Sequence, residues 1–164
     1  MTTMGDDDQQ HPHWSDQPST AAERAAGERE AERPRSPLAT LATRMADVSP
    51  AWSAVTLAAD DAPAGSIDVG SRDRTIGVES IREGWLLHRG ASRLAAAASP
   101  DLSLLVGDWC YAAGLCEITD HGSLDDVATL ARLVADVSAR AGESVDALDD
   151  RWSDATAEMA SRVG

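Results

Sequence analysis

The sequence predicts an all-α fold, a small bundle of helices that occupies residues 36–164. Apolar residues recur at spacings of three and four through most of this range, which is typical of amphipathic helices. No segment alternates apolar and polar residues as a half-buried strand would. No motif repeats at a fixed period, which excludes solenoids and propellers. A chain of 164 residues has room for one such domain.

Residues 1–35 are predicted to form a disordered acidic tail. The stretch contains the run Asp6–Asp8, and Trp14 is its only large apolar residue after the first Met pair. Such a composition cannot bury enough apolar surface to offset the entropy that ordering would cost. His11 and His13 lie in this tail and are interpreted as solvated side chains rather than metal ligands.

The helices can be placed from their periodicity and from their start and stop signals. Ser49-Pro50 and Ser99-Pro100 each place Pro in a first turn, where its missing N–H costs nothing. Ser123 and Asp126 have the spacing of a capping box, with Asp in place of Glu. The predicted helices span about 38–48, 49–57, 75–97, 100–119, 123–141 and 144–163, with a loop over 60–74.

The charge balance excludes several classes of function. The formal charge is −14, all 14 basic residues are Arg, and there is no Lys. A chain this acidic should repel phosphate backbones, so nucleic-acid binding is not expected. No apolar run approaches the ~18 residues of a membrane span, the first residues do not form a secretory signal, and two Cys make no disulfide framework. The predicted location is the cytoplasm.

The chain has 19 Asp against 9 Glu. Short carboxylates and missing Lys are typical of proteins from a high-salt cytoplasm, where salt screens repulsion over short distances. We therefore predict a halophilic protein of haloarchaeal type. A high-GC genome is the alternative explanation for the use of Arg and Ala.

Residues 101–119 are apolar almost all round, so this helix is expected at the centre of the bundle. At about 100° per residue, Asp108 shares a face with Leu105, Ala112 and Leu115. A carboxylate on an apolar face is costly unless it is paired.

The partner of Asp108 is expected on the preceding helix. Arg89, Arg93 and His88 are within reach in sequence and could hold the carboxylate as a purely structural pair. The functional alternative is that Asp108 contacts a ligand or metal at the mouth of a cavity. Asp108, Arg89, Arg93 and His88 are therefore the candidate ligand-binding residues, whereas no catalytic residue and no metal ligand is assigned.

The segment Leu104–Ala112, LLVGDWCYA, resembles the Gly-Asp helix of the trans-prenyltransferases, the polyprenyl diphosphate synthase family. The resemblance covers about residues 86–140. It implies part of the all-α isoprenoid synthase fold, in which this helix lines the tunnel for the prenyl chain. A tunnel lined by Leu105, Ala112 and Leu115 would support the relationship, and a closed core of Ala and Leu would oppose it.

Family catalysis requires two aspartate-rich motifs that hold Mg²⁺ against a diphosphate. The first would fall within residues 76–94, which contain no Asp and only Glu79 and Glu83. The second would lie beyond Gly164. The sequence Asp146-x-x-Asp149-Asp150 has the reverse order, and Asp146 and Asp150 fall opposite the apolar stripe of their helix, so they are interpreted as a solvated face.

The Gly-Asp helix also contains a pair of cysteines and a pair of glycines, whose roles are considered from their spacing. Cys110 and Cys116 point about 120° apart and lack a zinc-ligand spacing, so they are predicted to be buried packing residues. Gly107 and Gly114 are seven residues apart. They would allow a second helix to approach closely, or they would widen a tunnel.

The sequence thus predicts a non-catalytic, prenyl-synthase-like helical subunit or module that acts through a protein partner or as a homo-oligomer, without a cofactor. One alternative is a small isoprenoid-binding or prenyl-transferring enzyme that uses Asp108, Glu117 and Glu83 around Mg²⁺. The other is a helical interaction module unrelated to isoprenoids.

Overall fold

The computed structural model describes residues 35–65, 67–95 and 99–162. Across these ranges the chain is all-α and contains no strand, only an isolated bridge between Thr56 and Ala95. The predicted fold class is confirmed at this level. The helices are α1 (Pro37–Val48), α2 (Pro50–Ser53), α3 (Arg72–His88), α4 (Pro100–His121), α5 (Leu124–Ala139) and α6 (Asp149–Ser161), with 3₁₀ turns at Ala59–Asp61 and Asp146–Leu148. The predicted tail lies outside the described residues, except for Arg35.

Serine side chains determine where helices α1 to α5 begin. Each of the five helices follows a Ser whose hydroxyl accepts a hydrogen bond from a first-turn amide, which satisfies one of the free donors at a helix start. At α5 the capping box is complete, because Asp126 also accepts from the Ser123 amide. The predicted starts of α4 and α5 are therefore confirmed, and their caps are Ser99 and Ser123.

The predicted boundaries of α3 are wrong at both ends. The helix starts at Arg72 under the Ser71 cap, three residues before Thr75, and it ends at His88 rather than near Ala97. Gly90 has a φ of +67°, a left-handed conformation that glycine adopts without strain and that turns the chain out of the helix. The segment that follows returns to the side of α3 instead of extending it.

Helices α3 and α4 divide the core into two apolar clusters. One cluster joins them to α5 and α6 and contains the tilted ring pair Trp85–Trp152, with centroids 5.6 Å apart. The other joins them to α1 and α2 and contains Leu38, Met45 and the edge-to-face pair of Trp52 with the half-buried Trp109. The two central helices therefore hold both halves of the domain together.

Glycines allow α3 and α4 to pack with their backbones in contact. A Cβ on Gly114 would lie 2.6 Å from the carbonyl oxygen of Gly77, and one on Gly84 would lie 2.8 Å from that of Gly107. Each helix thus carries two glycines seven residues apart on the face that meets the other. The expectation that Gly107 and Gly114 allow close helix packing is confirmed.

The central helix of the bundle is α3 rather than α4, so the expectation from the sequence is wrong. Thirteen of the 17 residues of α3 are buried, among them Glu79 and Glu83. Helix α4 buries only five of its 22 residues, Val106, Gly107, Cys110, Gly114 and Ile118. The uniform apolar composition of α4 reflects an inner face that packs on α3 and an outer face that stays exposed.

Candidate functional site

The outer face of α4 carries a regular row of exposed residues, which we call the α4 stripe. Its members lie four and three residues apart in alternation along the helix and all are exposed: Asp101, Leu105, Asp108, Ala112, Leu115 and Thr119. Leu105 and Leu115 are 59% and 44% exposed, and the neighbouring Leu104 is 50% exposed. Three leucines are therefore held in water on one side of one helix.

A groove runs beside the α4 stripe, between α4 and α5. It encloses a cavity of about 180 Å³ lined only by uncharged side chains: Ile81, Tyr111, Leu115, Leu130, Ala131 and Val134. Because Leu115 belongs to both features, the groove adjoins the stripe directly.

Asp108 lies in the middle of the stripe with 74% of its side chain exposed. Its Oδ1 is 3.2 Å from Nε2 of His88, so His88 is the neighbour among the three expected partners. The expectation that Asp108 lies on a buried face is wrong, because the face that it shares with Leu105, Ala112 and Leu115 is the exposed one.

The two other candidate ligand-binding residues lie elsewhere. Arg89 donates to the backbone carbonyls of Ala141 and Glu143, and its guanidinium lies 5.6 Å from the ring centroid of Trp85. It therefore fastens the segment after α5 onto the end of α3. Arg93 points into a polar cluster beside α3. Neither arginine joins Asp108 and His88, so the four residues do not form one site.

A buried cluster of carboxylates was missed by the sequence analysis. Glu79 and Glu83, one turn apart on α3, are both fully buried and face Arg93. Arg93 Nη1 is 2.8 Å from Glu79, and its Nε is 3.0 Å from Glu83. Glu83 also accepts from the amides of Arg93 and Leu94 and from the Ser92 hydroxyl.

These contacts indicate a structural role for the glutamates. Together they hold the segment after Gly90 against α3. The available signal was the i, i+4 spacing of Glu79 and Glu83 among mostly small and apolar neighbours, because such a pair must have a partner if its face is buried.

The carboxylates of the enzyme alternative are not brought together. Glu83 belongs to the buried cluster, Asp108 is exposed beside His88, and Glu117 pairs with Arg44 at 2.5 Å and lies near His121. Among the described residues, no group of three or more His, Cys, Asp or Glu side chains could hold a metal ion. The arrangement offers no Mg²⁺ cage of the kind that this alternative requires.

Two groups on α4 hold their protons strongly. Burial raises the pKa of the Cys110 thiol to about 12, and the nearby Glu83 adds to the effect. Burial also raises the pKa of Tyr111 to about 12, with a further contribution from Asp108. Cys110 is a buried packing residue as expected, whereas Cys116 is exposed, contrary to the prediction. Both Cys110 and Tyr111 are therefore protonated near neutral pH.

Asp146, in the 3₁₀ turn before α6, and Asp150 and Asp154, on α6, are all exposed, as the sequence predicts. The side chains expected to line a prenyl tunnel, Leu105, Ala112 and Leu115, lie on the outer surface of α4. Residues that face solvent on the outside of the domain present a surface for another molecule to cover.

No family model matches the chain, and no significant match is found among curated proteins or solved structures. None of the described helices is both long enough and apolar enough to cross a membrane.

Proposed function

We propose that the chain is a non-catalytic helical interaction module, which works by packing the α4 stripe and the adjoining groove against a protein partner. The observation that carries the proposal is the row of exposed leucines on α4. Leu104, Leu105 and Leu115 are between 44% and 59% exposed along one face of the longest helix. Several exposed apolar side chains gathered on one side of a helix are a feature of interaction sites.

The distribution of charge supports the same surface. Charged residues make up 26% of the chain, yet all six residues that line the groove are uncharged. The core of a protein interface is depleted of charge in the same way, while its rim stays polar. Asp101 and Asp108 supply charge to the stripe.

Under this proposal the Gly-Asp helix serves as a docking element. The resemblance to the prenyl synthases stays a prediction, and so does any isoprenoid ligand. The glycines of the motif support a structural interpretation, because Gly107 and Gly114 bring α4 against α3 and thereby orient the stripe outward.

Site-specific photocrosslinking in native cells tests the proposal. A photoreactive amino acid at Ala112, in the centre of the stripe, should crosslink the chain to one defined protein that mass spectrometry identifies. The matched control is the same amino acid at Leu124, which is 86% exposed but lies outside the stripe. Position 124 should give none of that product.

The double variant Leu105→Glu/Leu115→Glu should abolish the product at position 112, because two buried, unpaired carboxylates would face the partner. Circular dichroism should show an unchanged helix content, since both sites are exposed. Equal products from positions 112 and 124, or a product that survives the double variant, would contradict the proposal.

A further inference from the structure

We propose that the groove between α4 and α5 receives one amphipathic helix of a basic partner protein. This helix inserts an aromatic side chain into the cavity and pairs a Lys or Arg with Asp108. The inference rests on the proposed function and adds the chemistry of the partner. The observations that carry it are the absence of charge from the groove lining, the volume of the cavity and the position of Asp108 beside it.

The two walls of the groove turn uncharged side chains toward each other. Residues 104–115 of α4 contain one charged side chain, Asp108. On α5, Arg132 and Asp136 line a different groove, the one that faces α6. Ala131, between them on the helix surface, lines the groove that faces α4. A segment seated between α4 and α5 would therefore meet uncharged side chains on both sides.

The walls also determine the secondary structure of the occupant. Both walls are helices, whose backbone N–H and C=O groups are bonded within each helix, so the groove offers side chains rather than free backbone groups. An extended segment buried there would leave its own backbone groups unpaired, whereas a helix satisfies them internally. The wall from Leu104 to Leu115 is about 16 Å long, which a partner helix of about three turns would cover.

The cavity sets the size of the anchoring side chain. Its volume of about 180 Å³ is slightly larger than that of an engineered apolar cavity of about 150 Å³ that binds benzene. A phenyl ring on the partner helix would therefore fit. Tyr111 is the one aromatic residue of the lining, and its ring could meet the incoming ring edge to face. Aromatic side chains in such pockets dominate the binding energy of many interfaces.

Asp108 determines the charge of the partner. It lies one turn before Tyr111 on α4, and its side chain is 74% exposed. A helix in the groove would pass along this carboxylate and displace its water, which is costly without a counter-ion. His88 lies 3.2 Å away but is charged only when protonated. The partner must therefore supply a Lys or Arg, about one turn from its aromatic residue.

The net charge favours the same class of partner. The formal charge of −14 attracts a basic protein at long range and repels an acidic one. Attraction of this kind raises the rate of association, while the uncharged groove and Asp108 select the segment that stays bound.

Fluorescence anisotropy with a labelled model peptide tests the proposal on the full chain. The peptide has about 15 residues of Ala, Leu and Lys with Phe at its centre, Leu on the same face as Phe, and Lys four residues before and after Phe. One control has the same composition in scrambled order, and the other has Ala in place of Phe. In about 0.5 M KCl, which screens unspecific attraction, the amphipathic peptide should bind about tenfold more tightly than either control.

Ala131 and Ala157 offer a matched pair of variants, because both are exposed helical alanines and Ala157 lies on α6. Ala131→Glu should weaken binding of the amphipathic peptide about tenfold, since its carboxylate would be buried beneath the peptide. Ala157→Glu should change binding by less than about twofold. Attraction by net charge alone would make both variants bind at least as tightly as wild type, and that result would overturn the inference.

Exchange of charge tests the pairing with Asp108. Asp108→Lys should weaken binding of the amphipathic peptide, and a peptide with Glu at the two positions four residues from Phe should recover it in this variant. Both effects are expected without a change in helix content, because Asp108 is exposed. A variant that binds the two peptides with the same preference as wild type would overturn the pairing.

The two proposals can fail separately. If the amphipathic peptide binds no better than its scrambled control while position 112 crosslinks a protein in cells, the basic helix is excluded and the proposed function stands. If the peptide fails and position 112 also gives no product, the proposed function is removed as well.

Discussion

Asp126 lies between Arg74 and Arg162 with 3% of its side chain exposed, whereas Asp108 is 74% exposed beside His88. Arg74 is itself buried and donates to Asp126 at 3.0 Å, and also to the backbone carbonyls of Val69 and Met159. Asp126 therefore joins the start of α5 to both α3 and the end of α6. Removing its charge would leave the Arg74 guanidinium buried without its counter-ion.

We expect Asp126→Asn to lower the free energy of unfolding by about 3 kcal/mol, since breaking one side of a buried ion pair leaves the other uncompensated. Asp108→Asn is the matched control and should change it by less than about 0.5 kcal/mol, as is usual for exposed positions. Urea denaturation at neutral pH measures both. Equal losses in the two variants would contradict this assignment of the structural carboxylate.

The effect of Asp126 should also depend on pH in a defined direction. Burial alone would raise its pKa, but hydrogen bonds from Ser123 and the positive charge of Arg74 outweigh burial and hold the pKa below 3.8. A lowered pKa in the folded state stabilises the fold above the unfolded value and loses that contribution as the pH falls through the folded value. The difference between wild type and Asp126→Asn should therefore shrink below about pH 4.

The sequence predicted the wrong carboxylate as the buried one for a physical reason. Periodicity places Asp108 on the same face as Leu105 and Ala112, but it does not say which face of a helix has a neighbour. The capping box at Ser123 could be read directly, because it depends on residues three apart. The contacts of Asp126 with Arg74 and Arg162, 52 and 36 residues away, could not be read in this way.

At the scale of elements, the pairing of α3 with α4 depends on glycine. A methyl group at Gly114 would lie 2.6 Å from both the carbonyl oxygen of Gly77 and Cγ1 of Ile81. Because the first of these atoms belongs to a helix backbone, it cannot move without shifting the whole helix. The overlap must therefore separate the two helices.

We expect Gly114→Ala to destabilise the fold by about 2–3 kcal/mol, the upper part of the usual range for overpacking. The control is Gly142→Ala, where an added Cβ meets nothing within 4 Å and the effect should stay within about 0.5 kcal/mol. Thermal unfolding followed by circular dichroism measures both. A neutral Gly114→Ala would show that the helices can separate without cost.

Local signals explain why most helix starts could be predicted and some other boundaries could not. Ser-Pro at positions 49 and 99 specifies a helix start through the geometry of two residues. The end of α3 at His88 depends instead on Glu83, which holds Arg93 and Leu94 against the helix. That contact joins residues about ten positions apart and depends on a buried carboxylate. The residue composition does not reveal it, and the predicted helix therefore continued to Ala97.

At the scale of the whole molecule, the excess of acidic residues predicts a fold that depends on salt. The formal charge of −14 implies repulsion among the surface carboxylates, which dissolved salt screens. The melting temperature should fall as KCl is reduced below about 0.5 M. The double variant Asp150→Asn/Asp154→Asn, on the exposed face of α6, should show a shallower dependence on KCl than wild type. A melting temperature independent of KCl would remove the halophilic prediction.

The packing of the whole molecule also decides how much of the function could be predicted from the sequence. Fold class followed from periodicity, and the apolar character of α4 was evident. Whether that apolar surface lines an internal tunnel or an external face depends on how α5 packs beside α4. Their groove, with Ile81 and Leu130 among its lining residues, arises only once three helices are in place.

The glycine contact between α3 and α4 also bears on how the domain opens in thermal fluctuation. Side-chain interfaces can loosen by changes of rotamer, but backbones in contact separate only by moving whole helices. Opening of this hairpin would also break both apolar clusters, since each contains residues of α3 and α4. The amide hydrogens of α3 and α4 near Gly84 and Gly114 should therefore exchange only through global unfolding, while those of α2 exchange through smaller local openings.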